Sequence, residues 1–338
     1  MASLPGVVIA VNEDSSPDSF DAQSEASDLG SSASSLTSID TDILLGELGE
    51  GRQTYAVYGK KEYGFPMDTQ ELERLDICHI KYFALLDKKH FLSPIDEEYN
   101  PQRILDLGCG TGTWCIDVAD MFPSALVVGV DKAATQPNFV PPNCTFEIDD
   151  IEEEWTWQEG TADFIFARDL ILSIRDFPRL IEQSYKHLKP GGWAEFHCVT
   201  GVLHCDDGSV PNGSALQQFS SMLRDSCIKY GTPVDDPTRW RQQFQDAGFD
   251  AVAEEVLKLP CGPWAADARL RLLGGWEQRN LLDNLEGMVM RLFQKALGQS
   301  EAEITVYLSQ LRKDIRSRDM HAYWPFYTVR GRKPLTDE

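Results

Sequence analysis

The chain contains no block of clustered lysine and arginine. Its 31 basic residues face 54 acidic ones, giving a net charge of −23 over 338 residues. Wrapping nucleic acid needs clustered cations that displace counterions, and juxtaposed cations are what draw a protein to an anionic bilayer. Direct binding of nucleic acid or membrane is therefore not expected. No apolar run approaches the roughly 20 residues that span a bilayer. Leu4 to Val11 is apolar but short, has no basic residue ahead of it and runs into Asn12-Glu13-Asp14, so no secretory leader is read. A Cys-x-x-Cys pair is also missing. The eight cysteines are irregularly spaced, which in a chain this long reads as reduced, mostly buried thiols of an intracellular protein. There is no internal repeat.

The charge is uneven. Residues 1–50 hold ten acids and no lysine or arginine. Together with the run Ser31-Ser32-Ala33-Ser34-Ser35, this predicts that 1–51 is a disordered tail, because such a segment buries too little apolar surface to offset chain entropy. Residues 52–100 follow as a helical N-terminal region. Leu72, Leu75, Ile77, Ile80, Phe83, Ala84 and Leu86 form an apolar stripe at helical spacing, with Glu71, Glu73, Arg74 and Asp76 mostly off it.

From 101 to 334 short apolar runs alternate with helical patterns. Strands are predicted at 103–107, 125–130, 144–148, 163–167 and 192–199, with helices at 113–122 and 176–188 between them. Further helices are read at 213–230 and 238–247, and strands at 250–259 and 322–329. A mostly helical insertion at 261–320 separates the last two strands. Strands joined by helical crossovers imply an α/β fold, a mostly parallel seven-stranded sheet with helices on both faces.

The first strand ends in Asp106-Leu107-Gly108-Cys109-Gly110-Thr111-Gly112. Glycines there permit a tight turn and let backbone N–H groups approach a ligand, and the following helix points its positive end at the same place. Dinucleotide enzymes use Gly-x-Gly-x-x-Gly. Here the third glycine comes one position early, with an acid inside the strand end, the form suited to S-adenosylmethionine. Asp131 ends the second strand nineteen residues after Gly112, where a carboxylate accepts from both ribose hydroxyls. Asp149-Asp150-Ile151 follows the third strand. Asp150 is assigned to the adenine amino group, with the Ile151 backbone beside it. Lys189-Pro-Gly-Gly-Trp193 turns into the fifth strand. Together these markers point to a class I methyltransferase.

Residues 52–334 resemble the fungal LaeA-like methyltransferases. The resemblance is carried by Arg52-Gln-Thr-Tyr55, Pro66-Met-Asp68, Leu105 to Gly112 followed by Trp114, Gln136-Pro137 and Pro141-Pro-Asn143. It continues through Phe146 to Asp150, Glu154-Trp-Thr-Trp157, Lys189 to Trp193, Ala247-Gly-Phe249, His321-Ala-Tyr323 and Arg332-Lys-Pro334. It implies a cytoplasmic or nuclear enzyme of fungal secondary metabolism that uses S-adenosylmethionine. Two roles follow from it. One is methylation of a small molecule inside a biosynthetic pathway. The other is regulation of metabolite clusters and development through velvet-type protein partners.

Transfer from a sulfonium needs alignment and exclusion of water more than a base. No residue is singled out as the catalytic base. The Asn-Pro-Pro-Tyr motif of some N-methyltransferases is replaced after the fourth strand by Ala167-Arg168-Asp169. Arg168 either faces the pocket, holding the cofactor carboxylate or an acidic substrate, or pairs with Asp169 or Asp176. His197 is a weak candidate base, and a hydrogen-bonded histidine within the sheet is the simpler reading. No metal site is expected, because strand alternation points His197 and Cys198 to opposite faces. The tryptophans at 155, 157, 264 and 276 are mostly assigned to the core. Residues 52–92 and the insertion at 261–320 are together read as a lid over the cofactor.

Overall fold

In a computed structural model of the chain, residues 47–48, 54–56, 58–59 and 64–335 are described. The expected disorder of 1–51 lies outside them, with one exception. Glu47–Leu48 (β1) pairs antiparallel with Thr54–Tyr55 (β2), so a ribbon begins inside the segment assigned to the tail.

Helix α1 (Thr69–Leu85) starts where the Asp68 side chain accepts the Glu71 N–H, an N-cap that satisfies one of the donors a helix start leaves free. Then come β3 (Arg103–Leu107), α2 (Thr113–Met121), β4 (Leu126–Asp131), β5 (Cys144–Ile148), β6 (Ala162–Arg168), α3 (Phe177–His187) and β7 (Leu188–Val199). The rest is β8 (His204–Cys205), α4 (Ala215–Tyr230), α5 (Trp240–Asp246), β9 (Asp250–Pro260), α6 (Ala268–Leu297), α7 (Glu301–Arg316) and β10 (Ala322–Arg332). Every strand and helix expected from the alternation is present.

The sheet runs β5-β4-β3-β6-β7-β10, with β9 and the two-residue β8 both on β10. It therefore has eight strands rather than seven, because His204–Cys205 adds a short edge too brief to leave a periodic signal. The first five strands are parallel, and β10 is antiparallel to β7 and β9. The chain leaves β3 in one direction and returns to β6 on its other side. Ligands in such sheets bind at the carboxyl ends of the strands flanking that reversal, here β3 and β6.

Two cores flank the sheet. Trp114, Cys115 and Val118 of α2 pack with Phe91, Phe164 and Phe166 on one face. Leu180 and Ile181 of α3 pack with Trp240, Phe244 and Phe196 on the other. A third core joins α1, α4, α6 and α7 to β10. The described residues belong to one compact unit, Ile39–Glu338, with no boundary at residue 100. All eight cysteines are free and six are buried. Among the described residues no helix is long and apolar enough to cross a membrane.

The inner face of α1 departs in part from the expected stripe. Ile77 and Ile80 of the apolar stripe are exposed, Ile80 by 55%. Glu71, Arg74, Cys78, His79, Lys81 and Tyr82 are buried instead. Hydrophobic periodicity finds the face that packs on a core, whereas this helix turns a polar face toward a cleft.

Candidate active site

The glycine loop joins β3 to α2. Gly108 and Cys109 donate their N–H groups to Val130 O at 2.8 and 2.9 Å, folding the loop back over β4. Gly108, Gly110 and Gly112 all have φ between 56° and 77°, the left-handed region that strains any residue with a Cβ. At Gly112 there is no room either, since a Cβ would sit 2.4 Å from the Phe146 ring.

Asp131, Asp150 and Ile151 meet Gly108 and Gly110 around one cavity of about 80 Å³. Asp131 accepts the Gly110 N–H at 2.8 Å and the Ala133 N–H at 2.9 Å, which fixes the carboxylate at the loop's edge. Asp150 is buried. Lys132 Nζ lies 3.0 Å from its Oδ2 and pairs with it. The neighbouring Ile151 carbonyl accepts the Trp155 indole N–H at 3.0 Å, and Trp157 donates to Glu147 at 2.8 Å. The Trp-Thr-Trp stretch thus braces the Asp150 loop from behind. Gly59 covers the same place: a Cβ on it would come 2.6 Å from Asp150 Oδ2.

A second cavity, about 60 Å³, lies on the other side of the loop. Asp106, Gly108, Gly110, Trp114, Phe166 and Arg168 line it, together with Leu75, Cys78, His79 and Tyr82 of α1. Arg168 faces this cavity and forms no ion pair with Asp169 or Asp176 among the described residues. Its guanidinium donates to His79 Nδ1 at 2.9 Å and lies over the Tyr82 ring. His79 Nε2 in turn donates to Asp117 at 2.8 Å. Burial and the Arg168 charge push His79 down to about 4, so it is neutral at pH 7. His79, His90 and Asp117 place their ligand atoms within 4.8 Å of one another. The hydrogen bonds argue against a cation there. Nδ1 is committed to Arg168, Nε2 therefore carries the proton, and the guanidinium repels a second positive charge.

Asp106 is only 3% exposed and accepts the Cys115 S–H at 3.1 Å. Burial lifts its carboxyl to about 7. A folded-state value above the unfolded one means the folded chain holds a proton that the unfolded chain has released. The Asp106 contribution to stability should therefore fall as pH rises from about 4 to about 7, by up to roughly 1.4 kcal/mol per unit. Asp106→Asn should melt above the unsubstituted protein at pH 8, by more than at pH 5. Thermal midpoints of both proteins at the two pH values check this, and a gap that is larger at pH 5 refutes it.

Sequence reasoning did not find the third cavity. Lys81, Tyr82, Asp169, Val199, Phe219, Leu281 and Trp324 are among its walls, and its volume is about 80 Å³. The insertion contributes α6 here, through Glu277, Asn280, Leu281 and Met288, and it lines neither of the other two cavities. The reading of 261–320 as a lid stands as a proposal, with α6 walling the cavity that shares Asp169 with the other two. His197 is removed from the candidates. It is fully buried, lines none of the three cavities and donates to Glu195 at 2.6 Å. Burial would raise the Glu195 carboxyl, but the bonds from His197, Ser93 and Leu92 outweigh it and hold it low. This cluster ties the 92–93 loop to β7.

The residues that bring α1 to the site carried one usable signal. Glu71, Arg74, Cys78, Lys81 and Leu85 recur at helical spacing, a second stripe that is mostly polar.

The methyltransferase-domain family model matches residues 79–254, more than half of the chain. The methyltransferase pytC of Aspergillus terreus is 35% identical over 302 residues, covering 89% of this chain and 92% of that one. The chain belongs to the LaeA-like methyltransferase family. The secondary metabolism regulator laeA of Aspergillus fumigatus is 33% identical, covering 85% of this methyltransferase and 77% of that protein. The protein-methionine methyltransferase laeA of Emericella nidulans is 31% identical, covering 85% and 76% respectively. All three alignments extend well beyond the matched domain.

Proposed function

We propose that this methyltransferase transfers a methyl group from S-adenosylmethionine to a small-molecule acceptor in secondary metabolism. The observation that carries the reading is the meeting of three cavities at one residue. Asp169 lines the cavity beside Asp131 and Asp150, the cavity beside Asp106 and Arg168, and the apolar cavity under α6.

The residues present fit the cofactor. Asp150 is a buried carboxylate in the cavity wall, suited to the adenine amino group with Ile151 alongside. Asp131 stands at the ribose. Gly108, Gly110 and Gly112 leave room for a close backbone approach. Arg168 and Asp106 line one cavity, a guanidinium that suits the carboxylate of an amino acid and a carboxyl oxygen that can accept from its ammonium. The cofactor supplies a methyl carbon already activated by its sulfonium. The chain's residues hold it, exclude water and align the acceptor.

An acceptor cavity of about 80 Å³ favours a small molecule over a folded protein surface. The regulatory role remains a second reading, supported by the relatives named regulators. Velvet-type partners, and a site of action in cytoplasm or nucleus, belong to it. The metabolite profile of a strain lacking this gene decides between them. Replacement of one compound by its form lacking a single CH₂ is the expected result. Broad, unrelated rises and falls would instead favour the regulator.

A further inference from the structure

This inference rests on the cofactor reading above. We propose that Asp169 is the proton acceptor for a hydroxyl group on a flat, largely apolar substrate seated under α6, with Tyr82 as its positioning residue.

Asp169 follows β6 with φ 54°, an unusual backbone conformation for a residue with a Cβ. It is over-determined. Its N–H donates to His197 O at 2.9 Å, and the Tyr82 hydroxyl donates to its Oδ2. Burial and the Asp169 carboxylate hold the Tyr82 phenol well above its ordinary range, so it stays protonated and donates. The other oxygen, Oδ1, receives the Val199 N–H at a long 3.5 Å, with the Cys198 thiol also beside the carboxylate. It therefore keeps an open lone pair where the acceptor cavity meets both cofactor cavities.

The walls say what donates to that oxygen. Phe219 and Trp324 offer aromatic surface, with Ile171, Leu223, Leu281 and Met288 around them. The two charged residues of α1 and α6 in the cavity, Lys81 and Glu277, pair at 2.5 Å and cancel. With that pair cancelled and Asp169 left as the acceptor, a neutral O–H enters cheaply, whereas the carboxylate would hold an amine as its ammonium, which has no lone pair to attack the methyl carbon. In the step itself the hydroxyl proton passes to the Asp169 carboxylate. The oxygen's electron pair forms the bond to the methyl carbon, and the pair of the broken carbon–sulfur bond stays on sulfur. Asp169 then gives the proton to water.

The test uses the full chain saturated with S-adenosylhomocysteine and two probes, 4-nitrophenol and 4-nitroanisole, which share a ring but differ in the donor. Spectrophotometric titration should show 4-nitrophenol binding at least tenfold tighter. Bound 4-nitrophenol should ionise at higher pH than the free compound, because the carboxylate opposes the phenolate. In Asp169→Asn the preference should drop to within twofold and the ionisation shift should vanish. Because Asp169 also borders both cofactor cavities, saturation of Asp169→Asn with S-adenosylhomocysteine is verified by calorimetry before each probe titration. Tyr82→Phe should lower the preference about threefold and reduce the shift. Leu223→Trp, which fills the cavity, should abolish binding of both probes and spare S-adenosylhomocysteine. Equal binding of the two probes, no binding of either, a preference that survives Asp169→Asn, or unaltered binding in Leu223→Trp would each overturn the proposal. Failure of the unsubstituted chain to bind S-adenosylhomocysteine removes this inference and the cofactor reading together.

Discussion

Lys81→Met should destabilise the protein by about 3–5 kcal/mol, the cost of leaving one partner of a buried ion pair alone. Lys81 Nζ and Glu277 Oε2 lie 2.5 Å apart, with side chains 1% and 5% exposed. Burial by itself would depress the Lys81 ammonium. Cys78 and Glu277 outweigh it and hold the group above its ordinary range. Glu277 also accepts from Asn280 at 3.2 Å. The double variant Lys81→Met/Glu277→Gln removes both charges and leaves an amide oxygen for Asn280, so it should recover more than half of the loss. Urea unfolding of the three proteins measures both effects. A single-variant cost under about 1 kcal/mol would mean that water reaches the pair, as at an exposed ion pair.

Arg168→Met should weaken S-adenosylhomocysteine by about ten- to a hundredfold, the loss of a hydrogen bond between charged groups. The same variant should bind 5′-methylthioadenosine, which lacks the amino-acid portion, within twofold of the unsubstituted protein. The contrast follows from placement. Arg168 sits at the end of β6, forms no ion pair among the described residues, and faces the cavity that also holds Asp106. Calorimetric titration with both nucleosides reads the difference. Equal losses for the two would assign Arg168 to the adenosine side or to the fold.

The centre of the sheet was legible because β3, β4 and β6 are apolar runs bounded by helical spacing, and buried parallel strands read that way. The candidate cofactor residues were legible for a related reason. Each of Gly108, Gly110, Gly112, Asp131 and Asp150 occupies the end of a strand or the turn after it, so locating the strands located them. Arg168 was named but its partner was not, since neither Asp169 nor Asp176 takes it and His79 lies 89 residues away. The proposed acceptor half was hidden by distance in the chain. Tyr82 and Asp169 are 87 residues apart, and α6 arrives from an insertion. Ile77 and Ile80 then misdirected the reading of α1, because a helix whose buried side lines a cleft need not keep its apolar residues inside. His197 drew notice by residue type alone. Its partner Glu195, two residues away on the same strand, explains its burial.

The pairing of α1 with α6 also bears on how the chain is made. Lys81 and Glu277 are separated by 196 residues. On the ribosome α1 emerges long before its counterpart, with Arg74 and Lys81 still hydrated. Its charged side has no reason to leave water until Glu277 arrives. The nascent chain can complete β3 to β7 first, because those contacts are nearer in sequence. The cleft's second wall is then added as a late docking event. A product terminated before residue 268 would contain the whole region matched by the family model and still lack the α6 wall of the third cavity.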